Sequence, residues 1–137
     1  MVKKLGLVYV IILLLISCKS NNIQINGNVS DPTPGKYILL EELMSDTLVP
    51  VDSVAVTNDG KFAFSLRLDN PAFYLLKFDN TNYLTMLLEP GQKIEIEADA
   101  GNLNYPESVA GSPGTEQMVA YNHRLREAID QIAGLSE

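Results

Sequence analysis

A chain of 137 residues is of single-domain length and long enough to bury a hydrophobic core. Its 17 acidic against 10 basic residues leave a formal net charge of −7. That balance excludes the basic footprint of nucleic-acid binding and any electrostatic attraction to anionic lipid headgroups. A single cysteine excludes an intramolecular disulfide, so the core has to stand without one.

The first element is a signal helix. Lys3 and Lys4 precede an apolar run from Leu5 to Ile16, broken only by Gly6, and the small residue Ser17 follows. A cationic start, an apolar middle and a small residue at the cut are the grammar of a secretory signal. At about 1.5 Å per residue the run falls well short of the ~30 Å hydrocarbon core, so residues 1–17 are expected to be a leader and not a membrane span.

Leu15-Ile16-Ser17-Cys18 resembles the lipobox of bacterial lipoproteins. The resemblance implies cleavage between Ser17 and Cys18, lipidation of the Cys18 sulfur, and acylation of the new amine by a palmitate-type chain. Each buried methylene contributes about 0.8 kcal/mol, and two or more chains anchor stably where one does not. On this reading Cys18 is a tether to the membrane and not a chemical thiol, and residues 18–22 are a lipidated linker. Losing Lys3 and Lys4 with the leader takes the formal charge from −7 to −9.

Residues 23–111 read as a β-domain. Ile23, Ile25 and Val29 alternate with Gln24, Asn26 and Asn28, the period of a half-buried strand. "DPTPG" at 31–35 is a turn cluster, and "KYILLEEL" resumes an extended run. In "DSVAVTNDGKFAFSLRL" two alternating stretches flank Asn58-Asp59-Gly60, which predicts a tight hairpin. "AFYLLKF" and "YLTMLLE" are apolar on both faces, as strands covered on both sides would be. Glu89-Pro90-Gly91-Gln92 reads as a type II turn, and "KIEIEAD" returns with Ile94 and Ile96 inward. The fold class is mainly β, an antiparallel sandwich or small barrel of about seven strands.

After Gly111 the period changes, and residues 112–137 are expected to form one amphipathic helix. Ser112 can cap it and Pro113 fits its first position. Met118, Leu125 and Ile132 recur every seven residues, with Tyr121, Ala128 and Ile129 in the same stripe. Such a stripe either docks on its own sandwich or faces a partner or second copy, so Met118, Leu125, Ile129 and Ile132 are the candidate partner-binding residues.

Catalytic signals are weak. His123 is the one histidine, and no serine or cysteine nucleophile is placed to use it. Glu95 and Glu97 share a strand face, as charges on a solvated face commonly do, and form no evident acid–base pair. Asp59 lacks the further oxygens of a calcium loop, and Gly111-Ser112-Pro113-Gly114 lacks the lysine of a phosphate loop. No metal site, cofactor or enzymatic activity is expected.

The order of elements carries a second resemblance. A lipobox, a β-rich stretch with "NDGKFAFSL" and "LEPGQKIEIEAD", then "VAGSPGTEQMVAYNHRL" opening a helix, is similar over roughly residues 20–135 to the N-terminal domain of unknown function in bacterial thioredoxin-like, thiol-disulfide interchange lipoproteins. In that family the redox work implied belongs to a following thioredoxin-like domain with a Cys-x-x-Cys motif, which these 137 residues do not contain. Two readings follow. One is a non-enzymatic lipoprotein whose β-domain is an accessory or binding module; the other is the truncated N-terminal part of such an oxidoreductase. In the resembling lipoproteins an acidic run after the cysteine can signal surface export. Lys19-Ser20-Asn21-Asn22 has none, so the expected address is the cell envelope, lipid-anchored at the outer membrane and facing the periplasm.

Overall fold

The computed structural model describes residues 20–135; the signal segment, with Ser17 and Cys18, lies outside the described residues. The elements are β1 (Asn22–Ser30), β2 (Tyr37–Leu43), β3 (Leu48–Ala55), β4 (Lys61–Arg67), β5 (Ala72–Lys77), β6 (Tyr83–Leu88), β7 (Lys93–Asp99), β8 (Ser108–Ala110) and α1 (Pro113–Gly134). The strands form two four-stranded sheets, ordered β4-β1-β7-β8 and β3-β2-β5-β6. With separate ladders, the pair is a sandwich and not a barrel, and α1 contacts the outermost strands β6 and β8 along one side.

Period-two patterning builds the interior as the sequence indicates. Ile23, Ile25 and Val29 of β1, Phe62 and Phe64 of β4, and Ile94, Ile96 and Ala98 of β7 point inward from one sheet. Ile38, Leu40, Tyr74, Leu76, Leu84, Met86 and Leu88 meet them from the other, in one continuous core. Gly27 shares the inward face of β1 and lies opposite Phe62 across the β1–β4 ladder. A side chain there would occupy the space of the Phe62 ring, so glycine is what lets that ring fold across the strand.

Three features differ from expectation. First, the 52–68 stretch is not a hairpin. Its turn is real, with Gly60 at φ 87° and the Thr57 N–H bonded to Lys61 O at 2.9 Å, but β3 pairs with β2 while β4 pairs with β1. The turn is a corner that carries the chain from one sheet to the other. Second, one pairing is parallel: β1 and β7 run together from Gln24↔Lys93 to Ser30↔Asp99. This follows because the Glu89–Gln92 turn crosses back between sheets and lands β7 beside β1, running the same way. Third, the outer faces of β5 and β6 are only half covered, and Phe73 is 43% exposed.

Short connections alternate the strands between two ends of the sandwich. At the entry end lie the start of β1, the β2–β3 turn, residues 68–71 and the 89–92 turn, tied by Leu68 N–H to Asn21 O at 2.9 Å and Gln24 N–H to Gln92 O at 3.0 Å. The far end gathers the 31–36, 56–60, 78–82 and 100–107 connections, tied by Val29 N–H to Gly60 O at 2.8 Å and Ala100 N–H to Ser30 O at 3.1 Å. α1 starts at the entry end beside Leu87 and Lys93 and climbs toward the far end.

Candidate functional site

The residues that position α1 come first. Gly111 has φ 89°, and any side chain there would collide with the backbone carbonyl of Lys93. Ser112 is the N-cap residue, and its carbonyl receives the Glu116 N–H at 2.9 Å, but its hydroxyl makes no cap bond. Instead the Ser112 hydroxyl donates to Leu87 O at 2.8 Å, and the Thr115 hydroxyl, 2.8 Å from Ser112 Oγ, accepts the Leu87 N–H at 3.0 Å. Ser112 and Thr115 are fully buried. Leu87 lies on an edge strand whose outward backbone groups would otherwise go unpaired, so the two hydroxyls close that edge. The expected cap is thereby corrected to a tertiary clamp. Gly114 lies directly against the Leu87 side chain, a close approach that a side chain would obstruct.

Higher up, α1 is pinned by the 100–107 connection. His123 Nε2 lies 3.2 Å from Pro106 O, its ring meets Tyr105 edge-on at 5.9 Å, and the Arg126 guanidinium stands 4.4 Å over the Tyr105 ring. His123 is therefore a positioning contact for the helix. The sequence offered no signal for Tyr105, which makes both ring contacts.

Between this helix and the outer face of β5–β6 lies a groove of about 660 Å³, lined mainly by Phe73, Tyr83, Leu87, Tyr105, Met118 and Tyr121. Its character is aromatic and aliphatic with polar tips, the usual make-up of a binding cleft. Met118 is half-buried in it. Beyond it every residue from Ala120 to Leu135 is exposed, including Tyr121 at 65%, Leu125 at 46%, Ile129 at 56% and Ile132 at 68%. Of the four candidate partner-binding residues, the groove takes one, Met118; Leu125, Ile129 and Ile132 are exposed farther along α1.

The remaining candidates lie elsewhere and serve structural ends. Glu95 and Glu97 accept from Asn26 Nδ2 at 2.9 Å and Asn28 Nδ2 at 3.0 Å, on the solvated face of the β1–β7 pair. Asp59 accepts the Thr57 hydroxyl at 2.5 Å in the corner turn, and that bond holds its carboxyl below the ordinary range. Asp79 is held low as well, first by the Thr81 N–H and hydroxyl. The most buried charged pair had no sequence signal at all. Glu41 Oε2 lies 2.6 Å from Lys77 Nζ, with side chains 9% and 13% exposed, on the outer face of the second sheet. It is a charge contact and not an aligned hydrogen bond; Nζ also reaches Asn80 Oδ1 at 3.3 Å. Among the described residues no cluster of His, Cys, Asp or Glu could hold a metal ion, and no helix is long and apolar enough to cross a membrane.

The family model "Domain of unknown function (DUF4369)" covers residues 23–118, and the chain belongs to that family. No curated protein and no solved structure matches it. The matched span takes in the sandwich and the clamped first turns of α1, and stops at Met118.

Proposed function

We propose that this member of the DUF4369 family is a lipid-anchored, non-enzymatic binding module of the cell envelope, tethered through Cys18 and presenting the free face of α1 to a protein partner. The observation that carries the binding reading is the continuity of the β6–α1 groove with Tyr121, Leu125 and Ile129, a contiguous apolar surface left bare on a helix whose first turns are firmly clamped. A helix fixed at its base and apolar along one exposed face is a preorganised docking element, since little ordering entropy remains to oppose binding. The tether is supported by Leu15-Ile16-Ser17-Cys18 closing an apolar run. The two ends of the sandwich suit these roles, because β1 enters at one end and α1 climbs toward the other. At the outer membrane facing the periplasm, this arrangement holds the helix away from the lipid.

The test has two readouts. Growth with a labelled fatty acid tags the wild type and leaves Cys18→Ser untagged and released from the membrane fraction. A photoreactive side chain at position 129 forms a discrete protein adduct in intact cells, whereas one at position 65, on the solvated face of β4, does not. Equal retention of Cys18→Ser at the membrane overturns the tether, and no adduct at position 129 overturns the docking role.

The same bare helix supports a second reading, in which the chain is the N-terminal part of a thioredoxin-like thiol-disulfide oxidoreductase and the following domain covers the stripe. A native polypeptide of greater mass carrying Cys-x-x-Cys, with the position 129 adduct formed inside it, decides for that reading.

A further inference from the structure

Four large apolar side chains are exposed at the tip of the β2–β3 hairpin: Leu43 at 45%, Met44 at 50%, Leu48 at 40% and Val49 at 44%. Leu43 and Leu48 are partners across the ladder and share one face, Val49 is one rung on and on the opposite face beside Glu42, and the Met44 N–H closes the turn on Thr47 O at 2.9 Å, so apolar side chains leave the tip on both faces. Scattered apolar residues on a surface need no explanation, but a cluster on a closed turn marks a contact site. We propose that this hairpin tip is a second membrane contact, lying in the interfacial layer of the bilayer that holds the acylated Cys18. The proposal rests on the tether of the preceding section and adds to it how the domain sits on the membrane.

Position argues for lipid as the occupant. The hairpin tip and the start of β1 lie at the same end of the sandwich, in facing sheets. Three residues, Lys19 to Asn21, separate Cys18 from Asn22, the first residue of β1, and the four fully extended steps between them reach at most about 14 Å. An acyl group at Cys18 therefore holds the entry end against the membrane surface, and the hairpin with it. Charge sets the mode of contact. From Leu43 to Val49 the hairpin has Asp46 and no lysine or arginine, so it can engage the bilayer only through apolar burial. Ser45, Asp46 and Thr47 keep the turn itself polar, so the hairpin lies along the headgroup boundary and does not cross it.

The chain contains no tryptophan, so a single indole reports unambiguously. Met44→Trp and, as the control at the other end, Ile129→Trp are purified as acylated full chains and reconstituted into phosphatidylethanolamine–phosphatidylglycerol vesicles brominated near the headgroup end of the acyl chains. Fatty-acid label on the same preparations reads the tether. We expect Met44→Trp emission to fall at least two-fold relative to unbrominated vesicles and Ile129→Trp emission to stay unchanged. Adding Leu43→Ser and Leu48→Ser to Met44→Trp should restore the lost emission. A labelled, vesicle-bound Met44→Trp protein that is not quenched overturns the proposal, as expected if the hairpin serves a protein partner instead. Quenching that survives Leu43→Ser with Leu48→Ser also overturns it, because the indole alone would then be inserting. An unlabelled, unbound preparation overturns the tether and this contact with it.

Discussion

Thr115 and Leu87 are joined across the boundary between helix and sheet. The Leu87 N–H donates to Thr115 Oγ1 at 3.0 Å, while the Leu87 carbonyl receives the Ser112 hydroxyl at 2.8 Å. One residue of an edge strand thus has both backbone groups satisfied by the first turn of α1. Thr115→Val keeps the volume and removes the acceptor, leaving a buried N–H without a partner at a cost of about 1–3 kcal/mol. Thr115→Ser, which keeps the hydroxyl, should lie much closer to wild type. Urea unfolding followed by far-ultraviolet circular dichroism checks this: the midpoint should fall for valine with an unchanged slope.

The Glu41–Lys77 pair predicts a strongly non-additive cycle. With side chains 9% and 13% exposed, removing either partner strands a charge away from water. Lys77→Met alone should cost about 3–5 kcal/mol, whereas Glu41→Leu combined with Lys77→Met should recover most of the loss, because neither charge is then left unpaired. Additive single-mutant effects in the unfolding free energies would show that the pair does not act as a unit.

These two contacts mark where the sequence stops being legible. Strands β1 and β7 could be read directly, because each has one solvated and one buried face and so alternates cleanly. The same local rule misassigned the 52–68 stretch. Asn58-Asp59-Gly60 specifies that the chain turns, but whether it returns in the same sheet is decided by distant pairings, Asn26 with Ala63 and Tyr37 with Ala55. Strand β8 has three residues, too few for any period, and exists because β7 offers it an edge. Glu41 and Lys77 meet only through the β2–β5 register, and Thr115 and Leu87 only through the packing of α1. The helix stripe was legible as apolar, yet its pattern alone could not say that the contacts holding α1, at its first turns and at His123 and Arg126, would leave Leu125 and Ile129 bare.

Asp79 gives the acid limb of stability its sign. Its carboxylate accepts the Thr81 N–H at 2.9 Å, the Thr81 hydroxyl at 2.8 Å and the Asn82 N–H at 2.9 Å, and the Thr81 backbone bond is the largest cause of its lowered pKa. A carboxyl whose folded pKa lies below its ordinary value of 3.8 contributes stability that is present above 3.8. That contribution is lost as pH falls from there through the lower folded value. Melting temperature measured against pH should therefore show wild type and Asp79→Asn converging as acid is added, with the wild type ahead only at higher pH. A constant gap down to the bottom of the acid limb would remove Asp79 from it.

Leu125→Glu separates folding from docking on α1. Leu125 is 46% exposed and lies beyond the half-buried Met118, on the part of the helix where every residue is exposed, so a carboxylate there remains solvated. Its effect on stability should stay within about 0.5 kcal/mol, as for surface positions that bury nothing. Met118→Glu places a charge inside the groove beside Leu87 and Phe73, and should lower the melting temperature by several degrees. On docking the two variants should agree. One charge lies in the groove and the other on the apolar face between it and Ile129, so each should abolish the adduct formed by a photoreactive side chain at position 129. Sedimentation of the purified Leu125→Glu and wild-type chains over a concentration series then identifies the partner. Loss of a concentration-dependent dimer means that the stripe pairs with a second copy of this chain, whereas two identical monomer profiles assign it to a different protein. If the adduct persists in Leu125→Glu with its yield unchanged, the stripe is not the docking surface.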